Sequence, residues 1–220
     1  MIYLLGGSTD FSDEVAQSLK KNIVTANRIV FVPGIYEDNQ LSLNQMDEIL
    51  KAFEAIDIVF QQSILLNENS EIEWMAGVIE EADVVYLMDG NPVKQMAFVK
   101  AMAIDVALEK YDNVLIGNSA GALNLSRHSI LTRDVSKKDG IVYDGLDLAE
   151  GISVDINYQD EISETIASVQ RDYGIDKIYG IPKSSAIFIN EGALDFLGSS
   201  PVHMLLNGVE PMEILDLLNE

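Results

Sequence analysis

The sequence predicts an α/β protein, a three-layer αβα arrangement around a mostly parallel, doubly wound sheet that ends in an antiparallel hairpin. Three observations carry this expectation. Short runs rich in Ile, Val, Leu and Phe alternate with longer amphipathic segments through the first half of the chain, the pattern that builds a parallel sheet with helices on both faces. Asn190-Glu191-Gly192 separates two alternating runs, which is a hairpin signal. The chain has 220 residues, 48% of them hydrophobic, enough for the large core of one α/β domain spanning 1–220.

In chain order, IYLL (2–5), RIVFVP (28–33), IDIVF (56–60), VVYLM (84–88) and NVLIG (113–117) read as buried strands. Helical patterns fall between them near 11–21, 42–54, 71–81 and 92–109. In SEIEWMAGVIEEA, Ser70 is placed to cap a first turn, with Glu73 three residues on completing a capping box. The second half is less regular. GISVDINY (151–158) reads as a strand, a helix follows near 160–172, and KIYGIP and SSAIFINEGALDFLG precede a final helix in PMEILDLL. No repeat, linker or low-complexity tract divides the chain.

Fourteen basic residues stand against 36 acidic ones, a net charge of -22. Such a surface repels phosphate backbones and anionic lipid, so neither nucleic acid nor a membrane surface is an expected partner. No cysteine is present, which excludes disulfides, thiolate metal sites and every cysteine-nucleophile mechanism. With two dispersed histidines besides, no metal and no cofactor is expected. The opening MIYLLGG lacks a basic segment before its apolar run, and MAFVKAMAIDVAL is interrupted by Lys100 and Asp105. The expectation is a soluble, cytoplasmic protein.

Chemistry concentrates in NVLIGNSAGALNLS. Four strand-like residues run into Gly117-Asn118-Ser119-Ala120-Gly121 and a helical pattern follows at once. That is the G-x-S-x-G shape of a nucleophile elbow, in which a tight strand-to-helix turn lifts one side chain above the sheet. Small neighbours let strand and helix approach, and the backbone N–H after the nucleophile can help hold an oxyanion. A plain glycine-rich turn is the competing reading. A serine hydroxyl needs a base. His128 lies nine residues beyond Ser119 and reads as a surface histidine; His203, in SSPVHMLL, fits a Ser…acid…His order or an edge strand. Asp89-Gly90-Asn91-Pro92 closes strand VVYLM ahead of a helix, so it is either a strand-end anion cradle or an ordinary turn. Gly6-Gly7-Ser8 lacks the spacing of a dinucleotide loop.

These motifs together resemble the dipeptidase E family of serine peptidases, related to cyanophycinase and built on the class I glutamine amidotransferase-like fold. The resemblance rests on the early GGS, RIVFVP, VVYLMDGN, IGNSAGALNLS, DGLDL…ISVDINY and YGIP…INEGALDFLG, and spans nearly the whole chain. It implies a hydrolase acting on small peptides, with Ser119 as nucleophile and Gly90 and Ala120 as oxyanion-hole donors. Asn91 and Asn118 fall beside the site as candidate substrate-binding residues. It also implies a catalytic histidine where Asn157 stands and an orienting glutamate where Lys183 stands. The first glycine of a Gly-Gly-Asn turn is replaced by Asp89. An amide has no basic lone pair near neutral pH. Two outcomes therefore compete: a serine peptidase with an unusual base, such as Asp155, His203 or a residue of a partner subunit in a homodimer, and a catalytically degenerate relative that binds a small ligand or protein partner. An esterase using Ser119 and His203 is a third.

Overall fold

Seven strands form the main sheet of the computed structural model, which describes residues 1–132 and 141–214. Five of them, β1 (Ile2–Leu5), β2 (Arg28–Gly34), β3 (Gln62–Leu65), β4 (Val84–Gly90) and β5 (Val114–Asn118), run parallel in the order β1-β5-β4-β2-β3. Beyond β1 lies the hairpin of β10 (Ser185–Asn190) and β11 (Ala193–Gly198). Its two-residue turn has positive φ at both Glu191 (50°) and Gly192 (79°), the twist that suits a tight hairpin.

Alternate strand residues bury on opposite faces, and this sets the three layers. Tyr3, Phe31, Tyr86 and Ile116 pack with Val15 and Leu19 of α1 (Asp13–Asn22) and Ile49 and Phe53 of α2 (Asn39–Ala55). Leu4, Val32, Leu87 and Leu115 pack on the other face. Their partners come from α3 (Ile72–Glu80), α4 (Pro92–Ala101), α5 (Ile104–Leu108) and α6 (Ala120–Leu125). Strands covered on both sides are continuous in apolar character, which is why the sequence marks them clearly.

The second half builds a sheet that the sequence did not announce. Its order is β13-β12-β9-β8-β6-β7, from β6 (His128–Leu131), β7 (Ile141–Asp144), β8 (Val154–Ile156), β9 (Lys177–Ile181), β12 (His203–Leu206) and β13 (Met212–Glu213). Helix α7 (Ser163–Tyr173), entered through a 3-10 turn at Asp160–Ile162, carries the chain between parallel β8 and β9. It packs Ile166 and Val169 against Ile178 and Leu205.

Four expectations need correction. The strand expected at 56–60 is instead a loop with a left-handed Asp57, and the edge strand is Gln62–Leu65. Ile58 is buried, so the apolar run plugs the core without pairing. The helix expected over 92–109 breaks at left-handed Ala103 (φ 53°) into α4 and α5. The capping box does not form: α3 starts one residue later, at Ile72 behind Glu71, and no side chain caps it. Met212 and Glu213 of the expected final helix pair with β12 as a strand, and 215–220 lie outside the described residues.

Candidate active site

The carboxyl ends of β1, β5 and β4 lie side by side and aim three turns at one region. At the end of β5, Ser119 has φ 51° and ψ −107°, a sparsely populated combination for a residue with a side chain. The flanking glycines are sterically required. A Cβ on Gly117 would lie 2.6 Å from the carbonyl carbon of Gly121, and one on Gly121 would lie 2.3 Å from the carbonyl oxygen of Leu87. Strand and helix can meet this closely only without those carbons, which gives the sharp turn its shape. Ala120 opens α6 immediately behind the serine, where a first-turn N–H has no acceptor within its helix.

The turn after β1 is the hub of the site. Leu5 O accepts a hydrogen bond from Ser119 N at 3.0 Å, and Gly6 O accepts one from Asn157 N at 2.9 Å. Ser8 N donates to Lys183 O at 2.9 Å. Residues 5, 6 and 8 thus tie together the three positions singled out in the sequence as nucleophile, base position and orienting position. Asn118 adds a bond from Nδ2 to Ser8 O at 3.2 Å and is only 4% exposed. Gly6 is confined: a Cβ there would stand 2.0 Å from Pro182 O. At Gly7, φ is 123°, and the site of its missing Cβ is 3.8 Å from Ser119 Oγ. The short GGS motif lacks dinucleotide spacing and does not by itself announce this role; its signal is two glycines directly after a buried strand.

Asn157 directly follows β8 with a left-handed φ of 52°, a conformation that asparagine tolerates better than most residues. Its backbone bond to Gly6 brings the end of the second sheet against the Gly6-Gly7 turn and so beside Ser119. The Lys183 side chain is exposed and borders a small recess with Ser8, Asp10 and Phe11. Each histidine is engaged by other neighbours. His128 Nδ1 lies 2.9 Å from Ser153 Oγ. His203 sits on β12 with its ring 4.8 Å from that of Tyr158 and Nδ1 3.9 Å from Asp160 Oδ1. Among the described residues, no side chain is hydrogen-bonded to Ser119 Oγ.

At the end of β4, Gly90 takes φ 153° where it crosses Gly34; a Cβ would fall 2.6 Å from Gly34 C. Its N–H donates to Asp89 Oδ1 at 2.7 Å. Asn91 uses Oδ1 to cap α4 by accepting from Lys94 N at 3.0 Å, and its own N–H donates to Gly34 O. Beneath this turn runs a buried polar network unsuspected from the sequence. Gln95 Nε2 donates to Met88 O and Val32 O, Gln95 Oε1 accepts from Asn124 Nδ2, and Asn124 Oδ1 accepts from Tyr143 Oη. Burial pushes the Tyr143 phenol up to about 12. Burial likewise raises Tyr86, with the charge of Asp89 adding to it and Asn118 partly offsetting it.

A cavity of about 820 Å³ opens beside Gly90, between the main sheet and the second. Ile35, Val93, Leu123 and Ile156 give it apolar walls; Glu37 and Lys94, paired at 2.9 Å, stand at its edge. Asp155, 2% exposed, forms part of the lining and accepts from Thr132 Oγ1 at 2.6 Å. Among the described residues, no group of three or more His, Cys, Asp or Glu could hold a metal ion, and no helix is long and apolar enough to cross a membrane.

A family model described as peptidase family S51 matches residues 2–197. A protein assigned as a peptidase E from Listeria monocytogenes EGD-e has a similar crystal structure (TM-score 0.68, 19% identity), covering 90% of this chain and 98% of its own. A peptidase from an acI-B1 actinobacterium aligns at TM-score 0.70 and 15% identity, over 96% of this chain and 92% of its own. No curated protein sequence matches the chain. The structural likenesses bear on the fold, the three-layer α/β arrangement of the class I glutamine amidotransferase-like type.

Proposed function

Because the chain belongs to peptidase family S51, we propose that it is a member whose nucleophile elbow is intact but unassisted, one that binds a small peptide or similar ligand without efficient hydrolysis. The observation that carries this reading is Asn157. Its backbone is held on Gly6 O, next to the glycine that abuts Ser119, at the place where the family resemblance calls for histidine. An amide at that place can orient a ligand through hydrogen bonds but cannot take the serine proton. Loss of a triad base costs about 10⁴–10⁶ in kcat.

Two further features support the reading. Gly90 N–H, the donor on one side of the elbow, is engaged by Asp89. Lys183 stands exposed where an orienting carboxylate would be needed. A slow serine hydrolase is the second reading, and the retained strain at Ser119 favours it: such a backbone costs about 1–3 kcal/mol and is commonly kept where it serves chemistry. Turnover of a panel of acidic and neutral dipeptides separates the two. The proposal expects wild type and Ser119→Ala to give the same background within about twofold. A wild-type rate about 100-fold or more above Ser119→Ala would establish hydrolysis and remove the proposal.

A further inference from the structure

Asp89 turns a carboxylate oxygen onto the N–H of the glycine that follows it. Parallel β4 and β5 are paired up to Leu87 and Gly117, so the residues that follow, Asp89-Gly90 and Ser119-Ala120, leave the sheet at neighbouring points. In an elbow of this type the stabilising donors are the N–H after the nucleophile and one N–H from an adjacent strand-end loop. Ala120 and Gly90 hold those two places. The Gly90 N–H does not face an open crevice, however; at 2.7 Å it meets a carboxylate oxygen of the residue before it. That is a short, charge-assisted contact.

We propose that Asp89 is a built-in occupant of the oxyanion site, an autoinhibitory carboxylate that saturates Gly90 N–H and keeps tetrahedral, negatively charged species out. This deepens the reading of an unassisted elbow and rests on it for the identity of the site. A single N–H makes one strong hydrogen bond, so an incoming oxygen must first displace the carboxylate. A fixed negative charge beside a developing one also opposes it in a partly water-excluded turn. The backbone supports this occupancy: Gly90 is pinned against Gly34 by contacts that leave no room for a Cβ, and Asn91 N holds Gly34 O at 3.1 Å.

The consequence concerns ligand class. A site already holding a carboxylate disfavours ligands that place a carboxylate, phosphate or boronate oxygen at Gly90. It accepts a neutral ligand that leaves the turn undisturbed. Removing the carboxylate while leaving the glycine should convert the turn into an anion-accepting one.

Amide resonances of Gly90 and Ala120, read in wild type, Asp89→Ala and Asp89→Gly with and without phenylboronic acid, provide the test. The wild-type Gly90 amide should be protected from hydrogen exchange and indifferent to the boronic acid. In either variant it should exchange about tenfold faster or more, and the boronic acid should shift both Gly90 and Ala120. Three results overturn the proposal: exchange at Gly90 unchanged by both substitutions, boronic acid reaching Gly90 as readily in wild type, or boronic acid reaching Gly90 in no form. The two glycine-compatible substitutions guard against one of them failing to fold. The two readings fail differently: unchanged exchange at Gly90 with no dipeptide turnover would remove this proposal and leave the unassisted elbow standing, whereas Ser119-dependent turnover by wild type would remove both.

Discussion

Ser119 combines φ 51° with ψ −107°, a backbone state in which every side chain meets steric resistance and glycine meets least. Replacing the serine by glycine should therefore raise stability by about 1 kcal/mol relative to Ser119→Ala, read as a higher denaturant midpoint at unchanged slope. Equal midpoints would mean that the turn is unstrained. The opposite effect is expected at Gly121, whose added Cβ would sit 2.3 Å from a backbone oxygen of β4. Gly121→Ala should destabilise by about 3 kcal/mol, measured by thermal or denaturant unfolding. The sharp strand-to-helix turn was legible in the sequence because close approach of strand and helix forces small residues at 117, 120 and 121. The left-handed Asn157 and the Asp89–Gly90 bond were not legible. One is a backbone state that several residue types can adopt, and the other depends on where a single carboxylate turns.

Among the elements, β2 and β4 begin at a shared clamp. Asp83 accepts from Thr25 Oγ1, Asn27 N and Arg28 N. Burial would raise its carboxyl, but the bonds from Thr25, Arg28 and Asn27, with the charge of Arg28, outweigh it and hold the group below the usual carboxylate range. A depressed folded value means that its contribution is complete above about pH 4, the unfolded range, and is lost as pH falls through the lower folded value. Acid unfolding of Asp83→Asn should accordingly show a shallower loss of stability below about pH 4 than wild type; parallel curves would contradict the clamp. The cap on α4 gives a second prediction. Asn91→Ala removes the acceptor for Lys94 N and should cost about 1 kcal/mol, read from the denaturant midpoint. Element positions were readable where strands are long and buried on both faces. They failed at Ile58, where an apolar residue plugs a loop, and at Ala103, where the helix breaks without glycine or proline.

For the whole molecule, the net charge of -22 dominates. The ion pairs Lys20–Asp57 and Lys94–Glu37 are exposed, and Lys100–Asp105 joins an exposed lysine to a mostly buried aspartate; exposed pairs are each worth little, so self-repulsion among carboxylates is the larger effect. Raising ionic strength from about 0.01 to 0.15 M shortens the screening length from about 30 to 8 Å and should raise the melting temperature. A fall would show that attractive pairs prevail. At this scale the sequence announced the doubly wound sheet through its alternation of apolar runs and amphipathic segments. The second sheet escaped notice because its strands are two to five residues long, too short to display a period. That sheet supplies Asn157, which the sequence singles out on the strand-like run GISVDINY; what it does not show is the pairing of that run with its neighbours in a sheet of their own. The central claim is that Ser119 stands at an intact elbow without a base. Its most direct test is intact-mass detection of fluorophosphonate adducts at pH 8. The account predicts no Ser119 adduct on wild type and an adduct when Asn157→His, Lys183→Glu and Asp89→Gly are combined. Rapid, complete labelling of wild type that disappears in Ser119→Ala would contradict it.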